Sequence, residues 1–162
     1  MSNMQLDTLR RIVQEINASV SLHDSLDIMV NHVAEAMHVD VCSIYLLDER
    51  NKRYVLMASK GLKPEAVGHV SLNVGEGLVG LVGKREEIVN LDNAPKHERF
   101  AYLPETGEEL FNSFLGVPVM YRRKVMGVLV VQNQEPQDFS EAAESFLVTL
   151  CAQLSGVIAH AH

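Results

Sequence analysis

The chain has 162 residues, 47% of them hydrophobic and 22% charged, with 14 Lys and Arg against 21 Asp and Glu for a formal net charge of −7. This is the size and balance of one globular domain that buries enough surface to need no staple. It excludes a protein that grips nucleic acid by neutralising phosphates, and no apolar run nears the roughly 18 residues of a membrane span.

In chain order, residues 4–19 are predicted as a helix, with Leu6, Leu9, Ile12, Val13 and Ile16 on one stripe. A second helix is predicted over 22–38, with Ser21 as its N-cap, Asp24 in its first turn and a stripe of Leu22, Leu26, Met29, Val30, Val33 and Met37. The period then changes to two. Val41–Leu47 and Tyr54–Ser59 form a hairpin around a charged turn, DERNKR. Short strands are predicted at 69–73 and 87–91, with a short helix at 75–84 between them. Residues 92–112 read as loop with one or two short helices. A second hairpin, Ser113–Tyr121 and Val125–Gln132, is apolar enough to be central, and Pro118 within it predicts a local edge or bulge. A helix from Ser140 to about His160 closes the chain, with Glu141 and Glu144 at its positive end. Hairpins make the sheet antiparallel, long terminal helices must cover one face, and the short elements of 60–112 cover the other. The fold class is α+β, in one domain over residues 1–162. The cavity belongs under the short elements.

The motifs argue against catalysis. Gly75-Glu76-Gly77-Leu78-Val79-Gly80 matches a dinucleotide fingerprint, but Asp92 follows Gly80 by 12 residues where about 20 are expected. Leu78 and Arg85 replace the Gly and Ser/Thr of a phosphate loop around Gly83-Lys84. Gly77, Gly80 and Gly83 instead line one side of a helix, either for close packing alone or for packing plus ligand contact. The seven histidines and two cysteines show no metal spacing, and no nucleophile elbow is present. Cys42 and Cys151 lie in apolar segments and are expected as reduced, buried thiols, with a redox role for Cys42 as the alternative. The N-terminus lacks a signal core, which points to a cytoplasmic protein. Arg122-Arg123-Lys124 is either a solvated hairpin tip or a partner contact.

The combination of VGEGLVGLVGKREEIVNLDNAPKHERF, FLGVPVMYRRKVMGVLVVQNQ, VCSIYLLDERNKRYVLMASKG and FSEAAESFLVTLCAQLSGVIA resembles a GAF domain over nearly the whole chain. Within that family it is similar to the sensory domains of nitrogen-type phosphoenolpyruvate–protein phosphotransferases. The resemblance implies a central antiparallel sheet, long N- and C-terminal helices on one face, and short helices and loops covering a pocket on the other. It also implies regulation of a downstream catalytic domain by a nitrogen-related metabolite of the glutamine or 2-oxoglutarate class, with no cofactor, no metal and no chemistry in this chain. Cyclic nucleotide binders of the family carry an Asn-Lys-Phe-Asp-Glu set. Asn133, Phe139 and Glu144 match three members, but Gln134 and Ala143 replace the other two.

Carried onto this sequence, the resemblance puts Val74 and Glu76 at the pocket rim, Asp92 after the short strand, Phe100 in the lid, and Tyr45 and Phe114 in the floor. Asp92 or Glu76 would accept from an amine or amide and helix amides would hold a carboxylate. Tyr45, Phe100 and Phe114 read equally as core filling, and Asp92 as a turn cap. A homodimer through 4–19 and 140–160 would pass the signal on. A docking module without a ligand is the alternative, marked by Tyr45, Met57, Phe100 and Phe114 filling the cavity.

Overall fold

The computed structural model describes residues 3–97 and 111–161. Helix α1 (Asn3–Ala18) turns at Ser19–Ser21 into helix α2 (Leu22–Met37). Ser21 caps α2 as expected, its hydroxyl accepting from the Asp24 N–H at 3.1 Å. His38, at φ 55°, takes the left-handed conformation that ends α2 and releases the chain into the sheet. Strand β1 (Val41–Asp48) returns as β2 (Arg53–Lys60), followed by β3 (Ser71–Asn73), helix α3 (Gly77–Arg85) and β4 (Val89–Leu91). The second hairpin is β5 (Ser113–Tyr121) with β6 (Lys124–Asn133), and helix α4 (Glu141–Ala159) closes the chain. Ser140 caps α4, accepting from the Ala143 N–H at 3.1 Å.

The six strands lie in the order β3-β2-β1-β6-β5-β4, with every pairing antiparallel. Alternation along each strand divides the interior in two. Ile44, Leu115, Leu129 and Val131 face a helical layer of Met29, Val30, Phe146, Leu147 and Leu150. Tyr45, Phe114, Val128 and Val130 face α3 and the short elements. The helical layer refines the expectation that both terminal helices cover the sheet. Helices α2 and α4 do so, while α1 packs mainly on those two, burying Ile12 and Ile16 between them. Helix α4 is long and apolar enough to cross a membrane by length and composition, which corrects the expectation that no segment comes near a span. Its stripe of Phe146, Leu147, Leu150 and Leu154 is buried in this core.

Two irregularities matter. The register of β1 against β2 shifts between Ile44 and Tyr45, and Met57 packs with the helical layer. That corrects its expected place among the cavity-filling residues, because Tyr54 and Leu56 face the cover and alternation turns Met57 to the opposite face; the bulge then keeps Ala58 on that helical face as well. Pro118 behaves as expected. Strand β4 pairs only as far as Gly116, so beyond it β5 has no outer neighbour among the described residues, and the register slips between Val119 and Met120.

Candidate functional site

The cover side of the sheet is built on three close approaches at glycine. A Cβ at Gly83 would collide with the hydroxyl of Tyr54 and lie 2.6 Å from its Cζ. One at Gly80 would meet the backbone of Gly75 at 2.7–3.0 Å. One at Gly116 would meet Val82 and Phe114 at 2.7–3.0 Å. Helix α3 therefore lies directly on the sheet, which the spacing of Gly77, Gly80 and Gly83 anticipated as close packing. Tyr54 is 2% exposed beneath it, and burial followed by the Glu86 carboxylate pushes its phenol upward.

The predicted site residues separate into groups. Tyr45 and Phe114 are buried in one apolar cluster on the cover side. They do not adjoin, since Tyr45 pairs with Val128 and Phe114 with Gln132. Four residues and two strand spacings put their Cα atoms roughly 17 Å apart. Val74 is exposed, and its N–H donates to the Lys52 carbonyl at the turn of the first hairpin. Glu76 is also exposed, and its Oε1 accepts from the Asn73 N–H at 3.0 Å. Asp92 is exposed in the bend after β4, near the start of β5, where the Ala94 N–H donates to the Asn112 carbonyl at 2.7 Å. Glu76, expected at the rim, follows the edge strand β3, and Asp92, expected after the short strand, follows the opposite edge strand β4. Phe100 lies outside the described residues.

Other polar groups belong to this side. Ser43 falls between Val41 and Tyr45 on the cover-facing register, is fully buried, and shares a 2.9 Å hydrogen bond with Ser59. Gln132 is 8% exposed on the same face, opposite Phe114 and Val41. Their signal in sequence was a lone polar residue inside an apolar strand. More consequential is Asn90 on β4. Its Nδ2 donates to the Phe139 carbonyl and to Glu144 Oε2, both at 2.8 Å, tying the edge strand to the first turn of α4. Nothing local marks a bond between residues 54 apart.

Asn133, Phe139 and Glu144 serve this scaffold. Asn133 Oδ1 accepts from the Asp40 N–H at 2.7 Å and its Nδ2 donates to Gln137 at 2.7 Å, while Asp40 accepts from the Gln134 N–H. An open groove of about 830 Å³ lies on the other side of the molecule, among α1, α2 and the start of α4, with Arg11, His32, Glu35, Met37 and Phe139 on its walls. Both cysteines are free and buried; burial, with Cys151 beside it, pushes the Cys42 thiol well up, and burial does the same to Cys151. That is the reverse of a redox-active thiol. Among the described residues no group of His, Cys, Asp and Glu is placed to hold a metal.

A family model of the GAF domain matches residues 21–158. The crystal structure of the GAF domain from an Acinetobacter phosphoenolpyruvate-protein phosphotransferase superposes with a TM-score of 0.93 at 87% identity, over 100% of this chain and 96% of that one. The corresponding domain from Coxiella burnetii gives 0.94 at 44% identity, over 99% and 96%. The Escherichia coli protein described as phosphoenolpyruvate-dependent phosphotransferase system is 44% identical over 153 residues, or 94% of this chain. The chain spans 20% of that relative's length, matching a regulatory-type domain and not a catalytic region. The chain belongs to the GAF domain family, among the GAF domains of phosphoenolpyruvate–protein phosphotransferases.

Proposed function

We propose that this domain senses a small nitrogen-related metabolite, of the glutamine or 2-oxoglutarate class, and sets the autophosphorylation of an attached cytoplasmic phosphotransferase region. The ligand binds on the cover side, with Asp92 and Glu76 as alternative acceptors, Val74 at the rim, Tyr45 and Phe114 in the floor and Phe100 closing over it. The observation that carries this reading is the Asn90 clamp. Asp92 is two residues from Asn90, and Asn90 holds both the Phe139 carbonyl and Glu144 at the start of α4. A ligand that draws Asp92 inward changes the seat of α4, and a seat with two arrangements is what couples a site to a distant partner. Output runs through a homodimer of helices α1 and α4, whose exposed Leu6 and Val148 support such a bundle.

The test is calorimetric titration with glutamine and with 2-oxoglutarate, with cyclic nucleotides as controls. The expected result is saturable heat from one of the two metabolites, lost in Asp92→Ala. No heat with either, from a folded dimer, overturns sensing in favour of a docking module. Light scattering that gives a monomer at high micromolar concentration overturns the bundle.

A further inference from the structure

The sensing reading leaves one end of the sheet unused. Strands β1 and β5 flank β6 and run in the same direction, so their turns into β2 and β6 emerge together. Leu46 pairs with Gly127 and Tyr121 with Lys124, which sets the two turns level, roughly 10 Å apart across two strand spacings. Arg50, Lys52, Arg53, Arg122, Arg123 and Lys124 bring six of the 14 cations here, against Asp48 and Glu49 of the 21 acids. Eight cations then face 19 acids over the rest of the chain.

Little of this positive charge is used within the domain. Arg53 donates to Ser71 and Asn73, and Asp48 is occupied by the N–H and the side-chain amide of Asn51. The other five cations are exposed and form no close ion pair among the described residues, though Arg50 helps, after the Asn51 hydrogen bonds, to hold the Asp48 carboxyl below its ordinary range. The backbone is also unusual. Arg122 and Arg123 stand at φ 50° and 68°, the mirror-image turn that Asn-Gly makes with least strain. Arg122 lies over the ring of Tyr121, 5.3 Å from its centroid. The ring of His160, at the end of α4, meets the same Tyr121 edge-on at 6.1 Å. Helix α4 therefore delivers the chain to the foot of the basic turn.

We propose that this basic end docks a carboxylate-rich surface of the catalytic region that follows α4 in the longer phosphotransferase. The inference rests on the proposed attachment to such a region. Charge complementarity selects the partner: the rest of the chain carries an excess of acids, and an acidic surface is attracted to this cationic end. Tethering supplies the affinity. A segment that starts beside His160 holds its surface near the turn at an effective concentration of order millimolar, so a weak, salt-sensitive contact suffices.

The experiment is zero-length carbodiimide cross-linking of the full-length protein, mapped by mass spectrometry. Amide links are expected from Lys52 and Lys124 to Asp or Glu beyond residue 162, lost in about 0.5 M salt. The double variant Arg122→Asn, Arg123→Gly is expected to lower their yield at least fivefold, on the order of two or three screened charge contacts. The same variant relaxes the turn, so the unfolding temperature of the domain rises and misfolding cannot explain the loss. Links that are absent, insensitive to salt and variant, or confined to a second copy's acids overturn the proposal. So does retention on phosphatidylserine vesicles that the variant abolishes, which assigns the end to lipid. Metabolite titration is read separately. Links without heat refute sensing alone, and heat without links refutes docking alone.

Discussion

Gly83→Ala tests whether α3 is seated on the sheet through Tyr54. On a solvent-facing helix the substitution would stabilise by about 1 kcal/mol, since Ala is the better helix former. Here the new methyl meets the Tyr54 hydroxyl and, at 2.6 Å, its Cζ, and Tyr54 is 2% exposed with little room to retreat. Overpacking of this kind costs about 3 kcal/mol at its upper end, leaving a net loss of about 2 kcal/mol. For a chain of 162 residues that corresponds to a drop of about 4–8 °C in the unfolding midpoint. Tyr54→Phe removes the nearest atom but not Cζ, so in that background the loss falls to about 1 kcal/mol, a coupling of about 1 kcal/mol between the two sites. Urea denaturation of the four proteins measures the cycle. A Gly83→Ala variant as stable as the parent or more so, or additive effects of the two substitutions, would refute the seating of α3 on this ring.

Three further expectations follow from the same interior. Asn90→Asp loses two hydrogen bonds and sets a carboxylate against Glu144, at a cost of about 2–3 kcal/mol near neutral pH; because the facing acids raise their shared pKa, the cost shrinks as pH falls through that raised value, and a pH-independent loss would contradict the contact. Cys42 and Cys151 should resist an aromatic disulfide reagent at pH 8 in the folded domain and react together on unfolding; rapid native labelling of either would count against their burial. Tyr54 ionises later in the folded than in the unfolded chain, so stability should decline as pH rises past about 10, and Tyr54→Phe should flatten that alkaline limb in circular-dichroism melts.

The elements were legible wherever the signal was local. Ser21 and Ser140 announced their helices because an N-cap satisfies amides two and three residues away. The second hairpin was legible in its apolar runs and its basic turn. The glycine spacing of α3 correctly announced close packing, but not that Tyr54 is what it packs on, since that partner comes from a different strand. The site was less legible. Glu76 and Asp92 are 16 residues apart in sequence, and it takes the sheet order to show that they follow opposite edge strands, β3 and β4. Met57 was misplaced although alternation from Tyr54 and Leu56 turns it to the helical face; what RYVLMASK hides is the bulge, which puts Ala58 on that same face. Asn90 reads as an ordinary strand residue until the fold brings Glu144 to it.

The sheet's margins decide how copies of the domain can meet. Both outermost strands are only three residues long, and a row of free amides and carbonyls beyond them would invite another chain to add itself. Next to β3 the invitation is withdrawn by the backbone of the preceding loop, where the Leu56 N–H donates to Val70 and the Gly68 N–H to the Leu56 carbonyl. Next to β4 it is withdrawn by Pro118, which has no amide to offer, and by the slipped register just after it. Among the described residues neither margin offers a template for a seventh strand of useful length. Copies of the domain brought to high local concentration are therefore expected not to zip edge to edge into ribbons.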